Sequence, residues 1–292
     1  MDRLEFIKLL GFGAMMTVTN IDNFAKSIKE NNKTGDIMPL LFVGHGSPMN
    51  AIENNDFTQS LEALGKKLPR PKAILCVSAH WCTNGTFVSI KKQPHTIYDM
   101  YGFPDALYKV KYPAPGAPDF AEEVARTIRT PQIITDSEWG FDHGNWSIMK
   151  YLFPDADIPV FQMSIDYGKP MQYHYDLAQQ LSFLRKKGVL IVGSGNITHN
   201  LRKVDFENRD AKPVDWALEF DSKVKNSIEL YDHKSLIDYK SFGSTADLAV
   251  PEPSHYFPLI YAIAQQGKNE EISYPYDKFH HGTLSMRCIK IG

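Results

Sequence analysis

Four of the ten histidines in the sequence stand where an imidazole can do chemistry. His45 lies in Gly44-His-Gly-Ser-Pro48, directly after a short apolar run, and His80 follows a second run in Ser78-Ala-His-Trp81. His199 comes just past a third, in Gly193-Ser-Gly-Asn-Ile-Thr-His199, and His143 sits in Gly140-Phe-Asp-His-Gly-Asn-Trp146, after the segment around Gln132–Thr135. Imidazole is a common ligand for zinc, iron, copper and nickel, and its ordinary pKa near ~6.5 also suits it to proton transfer. A lone histidine is more often an exposed or hydrogen-bonded structural group. Four at the ends of apolar runs point instead to one rim whose imidazoles could hold a divalent metal. Gly44 and Gly46 flank His45 and would let backbone approach a metal or substrate closely. The other histidines hold less promise. His174 and His233 fall in polar helical sequence and are expected at the surface, His95 lies in a proline-rich loop, and His280 and His281 precede the last strand.

The runs that would carry these histidines are short and bounded by turn residues, as buried strands are. They are Met38–Val43, Ala73–Ser78, Gln132–Thr135, Pro159–Ile165 and Val189–Gly193. Between them, apolar residues recur at helical spacing in Phe57–Lys67, Pro118–Arg129, Asn145–Phe153, Pro170–Lys187 and Val214–Tyr231. Alternation of this kind predicts an α/β fold, a mostly parallel central sheet with helices on both faces. Ligands of such sheets bind beyond the carboxyl ends of the strands, where His45, His80 and His199 are expected. Leu284–Ile291 is expected as an edge or closing strand. The segment from Pro94 to Pro118 lacks periodicity, and its Tyr98, Tyr101, Phe103, Tyr108 and Tyr112 are candidates for a pocket wall or for packing of the loop on itself.

Composition narrows the class. The 292 residues carry 32 basic and 34 acidic side chains, a formal charge of -2, without a basic stripe, which argues against a nucleic-acid partner. Three cysteines (Cys76, Cys82, Cys288), none in C-x-x-C spacing, argue against disulfides or a cysteine zinc site and suggest reduced thiols in or near the core. The apolar stretch Leu9–Val18 is too short to span a membrane. Residues 1–37 are therefore expected to be an N-terminal extension or a targeting segment, with the protein cytoplasmic or, alternatively, exported. Gly193-Ser-Gly-Asn196 is neither a phosphate-binding loop nor a dinucleotide fingerprint. Ser47 and Ser78 lack the context of a nucleophile elbow.

Five motifs in order carry a resemblance. Gly44-His-Gly-Ser-Pro-Met49, Ser78-Ala-His-Trp81, Gly140-Phe-Asp-His-Gly144, Gly193-Ser-Gly-Asn-Ile-Thr-His-Asn-Leu201 and Pro253-Ser-His-Tyr-Phe-Pro-Leu259 together resemble the 4,5-DOPA dioxygenase extradiol family of class III, LigB-like ring-cleaving dioxygenases. The similarity runs from about Met38 to Gly292, so a single LigB-like domain over 38–292 is implied. The resemblance implies one divalent metal held by His45, His80 and His255, with His199 a further ligand or the acid–base group and His143 contacting substrate or O2. Asp142 would cap or orient. It implies cleavage of a catechol beside its paired hydroxyls, using O2, to a muconic semialdehyde. Fe(II) would serve turnover, and Zn(II) is an acceptable ion for three imidazoles. Many members of the wider superfamily use two histidines and a carboxylate; here Glu252 stands three residues before His255. Two other readings stay open: a zinc hydrolase, since zinc activates water, and a non-catalytic metal- or peptide-binding member.

Overall fold

The computed structural model describes residues 37–292, so the expected N-terminal extension, apart from Ile37, lies outside the described residues. The elements run β1 (Leu40–Gly44), α1 (Asp56–Lys67), β2 (Ala73–Thr83), β3 (Thr86–Ser89), α2 (Pro118–Thr127), β4 (Ile133–Asp136), α3 (His143–Leu152) and β5 (Val160–Asp166). They continue with α4 (Met171–Gln180), α5 (Ser182–Lys186), β6 (Val189–Gly195), α6 (Asp215–Glu229), α7 (His233–Ile237), α8 (Ser244–Ala249) and α9 (Phe257–Ile263). The chain closes with β7 (Ile272–Tyr276), β8 (Phe279–His280), β9 (Leu284–Ser285) and β10 (Cys288–Ile291).

Eight strands form one sheet in the order β4-β3-β5-β2-β6-β1-β10-β7, and β8 pairs with β9. The centre is parallel: β6 lies between β1 and β2, and β2 pairs in parallel with β5. Within this eight-stranded sheet β10, β7 and the β3–β5 contact run antiparallel, as does the separate β8–β9 pair. The central strands are apolar on both faces because both faces are covered. Leu40 and Phe42 of β1 pack with Leu177 of α4 and Phe220 of α6, while Leu41 and Val43 pack with Leu61 of α1 and Trp146 of α3. Each such side chain contributes about 1.5–3 kcal/mol on burial, so a one-residue slip of register would exchange two cores at once.

The α/β class and mostly parallel sheet match expectation. Some elements differ. Pro170–Lys187 is two helices, interrupted at Leu181. The C-terminal strand is no edge, because β10 is sandwiched between β1 and β7. β3 and β7 went unpredicted, being short and only partly apolar. Among the described residues the cysteines are free thiols; Cys76 and Cys288 are buried, whereas Cys82 is exposed. No helix among them is long and apolar enough to cross a membrane.

Candidate metal centre

Register brings the strand ends together. Gly44 is opposite Gly195, and Ser78 opposite Ser194, so β1 and β6 end side by side where β2 parts from β6; β2 itself runs on to Thr83, and His80, expected just past this strand, lies within it. His45 follows directly, its N–H donating to the Gly195 carbonyl at 3.0 Å. His80 is aimed by an irregularity: β2 pairs with β5 at Val77 and again at Cys82, against Met163 and Ile165, so its extra residues bulge outward around His80. His143 is the first residue of α3, whose N-cap is Asp142. His255 comes from the turn before α9, seated on β6: Asn196 N–H donates to the His255 carbonyl at 2.9 Å. A Cβ on Gly195 would lie 2.2 Å from that same carbonyl oxygen, so only glycine admits the contact.

The rings converge. His45 and His80 have Nε2 atoms 3.1 Å apart, and the ligand nitrogens of His45, His80 and His143 all lie within 4.8 Å of one another. His255 has ring centroids 5.2 Å from His45 and 5.0 Å from His80, which are themselves 5.0 Å apart. His143 lies closer, 3.8 Å from His80. His199 is stacked flat on His255 at 3.5 Å and 4°.

Neighbours set the tautomers. Ser194 gives its hydroxyl proton to the Gly144 carbonyl at 2.5 Å, so its oxygen accepts from His45 Nδ1–H at 3.0 Å. The Ser254 hydroxyl donates to the Glu252 carboxylate, so its oxygen accepts from His255 Nδ1–H at 3.0 Å. Asp99 lies between two imidazoles, its Oδ2 2.8 Å from His143 Nδ1 and 3.3 Å from His80 Nδ1. With Nδ1 protonated, each Nε2 presents a lone pair to the interior. Two lone pairs facing at 3.1 Å repel unless a cation lies between them. Ligands on one ion at about 2.0–2.1 Å are roughly 2.8–3.4 Å apart for angles of about 90–110°. The donor set therefore fits a divalent ion.

Metal ligation requires the neutral form of an imidazole, and burial disfavours the charged form of three of these. It drives His45, His80 and His255 well below the usual histidine value, reinforced by neighbouring imidazoles, with Asp99 opposing at His80. Burial takes His199 down to about 4, against the pull of Glu252. The ordinary value near 6.5 expected for His199 is thus corrected by its enclosure. Burial would raise the Asp99 carboxyl, but the hydrogen bond and charge of His143, with the charge of His80, hold it below its ordinary range. Asp142 goes the other way, raised by burial and by Asp99 despite hydrogen bonds from Ser78 and Gln162; it caps and orients, as expected.

These histidines form the floor of a cavity of about 570 Å³. Seven of the chain's ten histidines line it, including His280 and His281, which their sequence setting did not single out. Of the loop aromatics only Phe103 reaches it; Tyr112 is buried against the Phe153 carbonyl, and Tyr98 and Tyr108 bond within the loop. The same loop supplies Asp99, which the sequence reading missed; its one available signal was its place in that loop. Gly44 and Gly46 make room for Ser285 and Met286 of the C-terminal segment rather than for a ligand. His174 and His233, expected at the surface, are buried on Tyr261 and on Tyr175 and Gln266.

A mostly parallel sheet with converging imidazoles at its carboxyl rim defines a protein with a histidine cluster that could hold a metal. Residues 39–281 match the family model described as the catalytic LigB subunit of aromatic ring-opening dioxygenase, and the chain belongs to that LigB family. It is 43% identical over 260 residues to "4,5-DOPA dioxygenase extradiol" of Escherichia coli K12, covering 87% of this chain and 95% of that one. It is 34% identical over 261 residues to the protein of that name in Beta vulgaris, covering 87% and 97%. The crystal structure of an uncharacterised Escherichia coli K12 protein superimposes with a TM-score of 0.77 at 40% identity, covering 87% of this chain and all of that one.

Proposed function

We propose that this chain is an extradiol dioxygenase that opens the ring of a DOPA-like catechol with O2, placing both oxygen atoms in a muconic semialdehyde. The observation that carries the reading is the 3.1 Å convergence of the His45 and His80 Nε2 atoms, each with its Nδ1 committed elsewhere.

His45, His80 and His255 are the proposed ligands. Their ring centroids are 5.0–5.2 Å apart, within the roughly 4.5–5.2 Å that three imidazoles on one ion adopt at bond lengths of about 2.1 Å. The His80–His143 spacing of 3.8 Å is too short for that arrangement. Fe(II), when bound there, supplies the redox chemistry that O2 requires and zinc lacks. The chain's own residues do the rest. Met49, Met100, Phe103 and Leu284 give the aromatic ring apolar walls that exclude water. Asp99 fixes His143 from both its ring and its backbone N–H, so that His143 Nε2 meets the catechol or O2. His199, held neutral, takes a proton from a catechol hydroxyl and returns it as the ring opens.

Anaerobic loading with Fe(II), followed by O2 uptake with a catechol, tests the reading. Stoichiometric O2 consumption with a yellow semialdehyde product is expected, and none from zinc-loaded protein. Equal uptake by both forms, or none by either, overturns it.

A further inference from the structure

Gly193-Ser-Gly-Asn196 matches no nucleotide-binding motif, yet Asn196 is buried at the end of β6 with both ends of its side chain engaged. Its Oδ1 accepts from the Gly46 N–H at 3.3 Å, and its Nδ2 donates to the Ser285 carbonyl at 2.8 Å. Its own N–H goes to the His255 carbonyl at 2.9 Å. One residue thus touches the segments of two ligands and the C-terminal segment. Resting on the ligand set His45, His80 and His255 given above, we propose that Asn196 is a positioning residue for the metal, which sets His45 against His255 before an ion arrives.

The contacts fall where they control a ring. The peptide after a ligand is planar, and with the peptide before it fixes the direction of the Cα–Cβ bond. At His45 both ends of that peptide are bonded: the His45 carbonyl accepts from Asn50 Nδ2 at 3.2 Å, and the Gly46 N–H donates to Asn196. At His255 the carbonyl accepts from Asn196, and the Tyr256 N–H donates to the Pro253 carbonyl at 2.9 Å. Asn196 therefore holds one end of each peptide. Gly46 has φ 60°, so the chain turns sharply directly after His45. Glycine permits that turn but does not enforce it; the bond to Asn196 does.

The amide is itself anchored. Gly46 offers it a donor and Ser285 an acceptor, which fixes which end of the amide points where. The Ser285 N–H donates to Thr198 Oγ1 at 2.8 Å, and its hydroxyl donates to Asp221 Oδ1 at 2.6 Å. Asp221 is in turn paired with Arg287, and both are buried. Metal ligands need to be held to within about 0.5 Å, and groups behind them typically contribute 10–100-fold in affinity. Asn196 acts on backbone rather than on a ring, which places it near the lower edge. Asn200 gives a matched comparison. It is buried on the same segment, but its side chain bonds the Leu248 carbonyl at 2.7 Å and the Arg202 N–H at 3.1 Å, away from both ligand segments.

The test follows Co(II), whose visible absorption reports coordination geometry, with affinity read by chelator competition. Asn196→Ala should weaken Co(II) binding by about tenfold and shift the band. Asn200→Ala should lower Tm by a similar amount and leave both readings at wild-type values. An unshifted band or an unchanged Kd in Asn196→Ala, or the same changes in Asn200→Ala, overturns the role of Asn196. Wild-type protein supplies a reading that needs no variant: without metal, the Gly46 amide should already be protected from hydrogen exchange. Free exchange there until metal is added would mean that the ion sets the geometry, and overturns the role equally. Failure of wild-type protein to take up Co(II) overturns the ligand set beneath it, whereas a normal wild-type band with an indifferent Asn196→Ala overturns the positioning role alone.

Discussion

His199 and His255 lie ring on ring, 3.5 Å apart and 4° from parallel, and this is the geometry behind the separate roles proposed for them. Stacked imidazoles hold their lone pairs in separate parallel planes, which do not meet at one ion, so only one of the pair ligates well. His255 has the ring spacing of the proposed ligands, and proton transfer is the role proposed for His199. His199→Gln should keep most of the metal and still bind catechol, yet turn it over at least ~100-fold more slowly. Metal analysis and single-turnover kinetics on one sample decide; loss of metal in step with activity would make His199 a ligand. The residue behind His255 gives a second prediction. Ser254 passes the Glu252 carboxylate on to His255 Nδ1 through its hydroxyl, which fixes the ring and makes it a stronger donor. Outer partners of this kind typically contribute 10–100-fold in metal affinity. Ser254→Ala should therefore weaken metal binding by about tenfold or more in chelator competition, with Ser254→Thr restoring it. Unchanged affinity in Ser254→Ala would sink the relay.

At the scale of elements, α9 has to be held against β6 for His255 to reach the site, and His174 of α4 is one of the groups that hold it. His174 is fully buried, with Nδ1 3.0 Å from the Tyr261 hydroxyl and its ring 4.4 Å from Phe257, both on α9. Burial lowers it to about 4, opposed by the backbone and charge of Asp166 and by the backbone of Lys169. In the unfolded chain it titrates near ~6.5, so between these values the unfolded state binds the extra proton. Its contribution is complete above about pH 6.5 and is lost as pH falls toward 4, on the order of 3 kcal/mol over that window. The unfolding free energy of His174→Gln should thus fall less steeply than wild type between pH 7 and pH 4.5. Parallel curves in denaturant titrations at these two pH values would contradict this.

For the whole molecule, the proposed ligands span the chain from His45 to His255, on segments that only the native sheet brings together. An ion bound there stabilises the native state alone, by about 4 kcal/mol at a thousandfold excess over Kd. At roughly 2–4 °C per kcal/mol for a domain of this size, chelation should lower Tm by roughly 10 °C. His45→Ala should melt near the chelated value and respond little to chelator. A melt of wild-type protein indifferent to chelator would remove the ion from the account.

The chain's own periodicity determined the α/β class, because strands buried on both faces and amphipathic helices are local patterns. The position of His45 after β1 was equally legible, since a turn after an apolar run is written in adjacent residues, whereas His80, expected past the end of β2, lies in a bulge within it that local sequence does not announce. Local sequence could not tell which imidazoles share one centre. His143 and His255 arrive from helix starts whose placement depends on Asp142 capping and on glycines at 193 and 195 meeting α9. Asp99 comes from a loop, His280 from the two-residue strand β8 and His281 from the turn after it, with no periodicity to announce them. Burial of His174 and His233, and the fall of His199 to about 4, are likewise decided by tertiary structure. A pKa depends on what surrounds the ring in space, and residues from distant parts of the chain supply those surroundings.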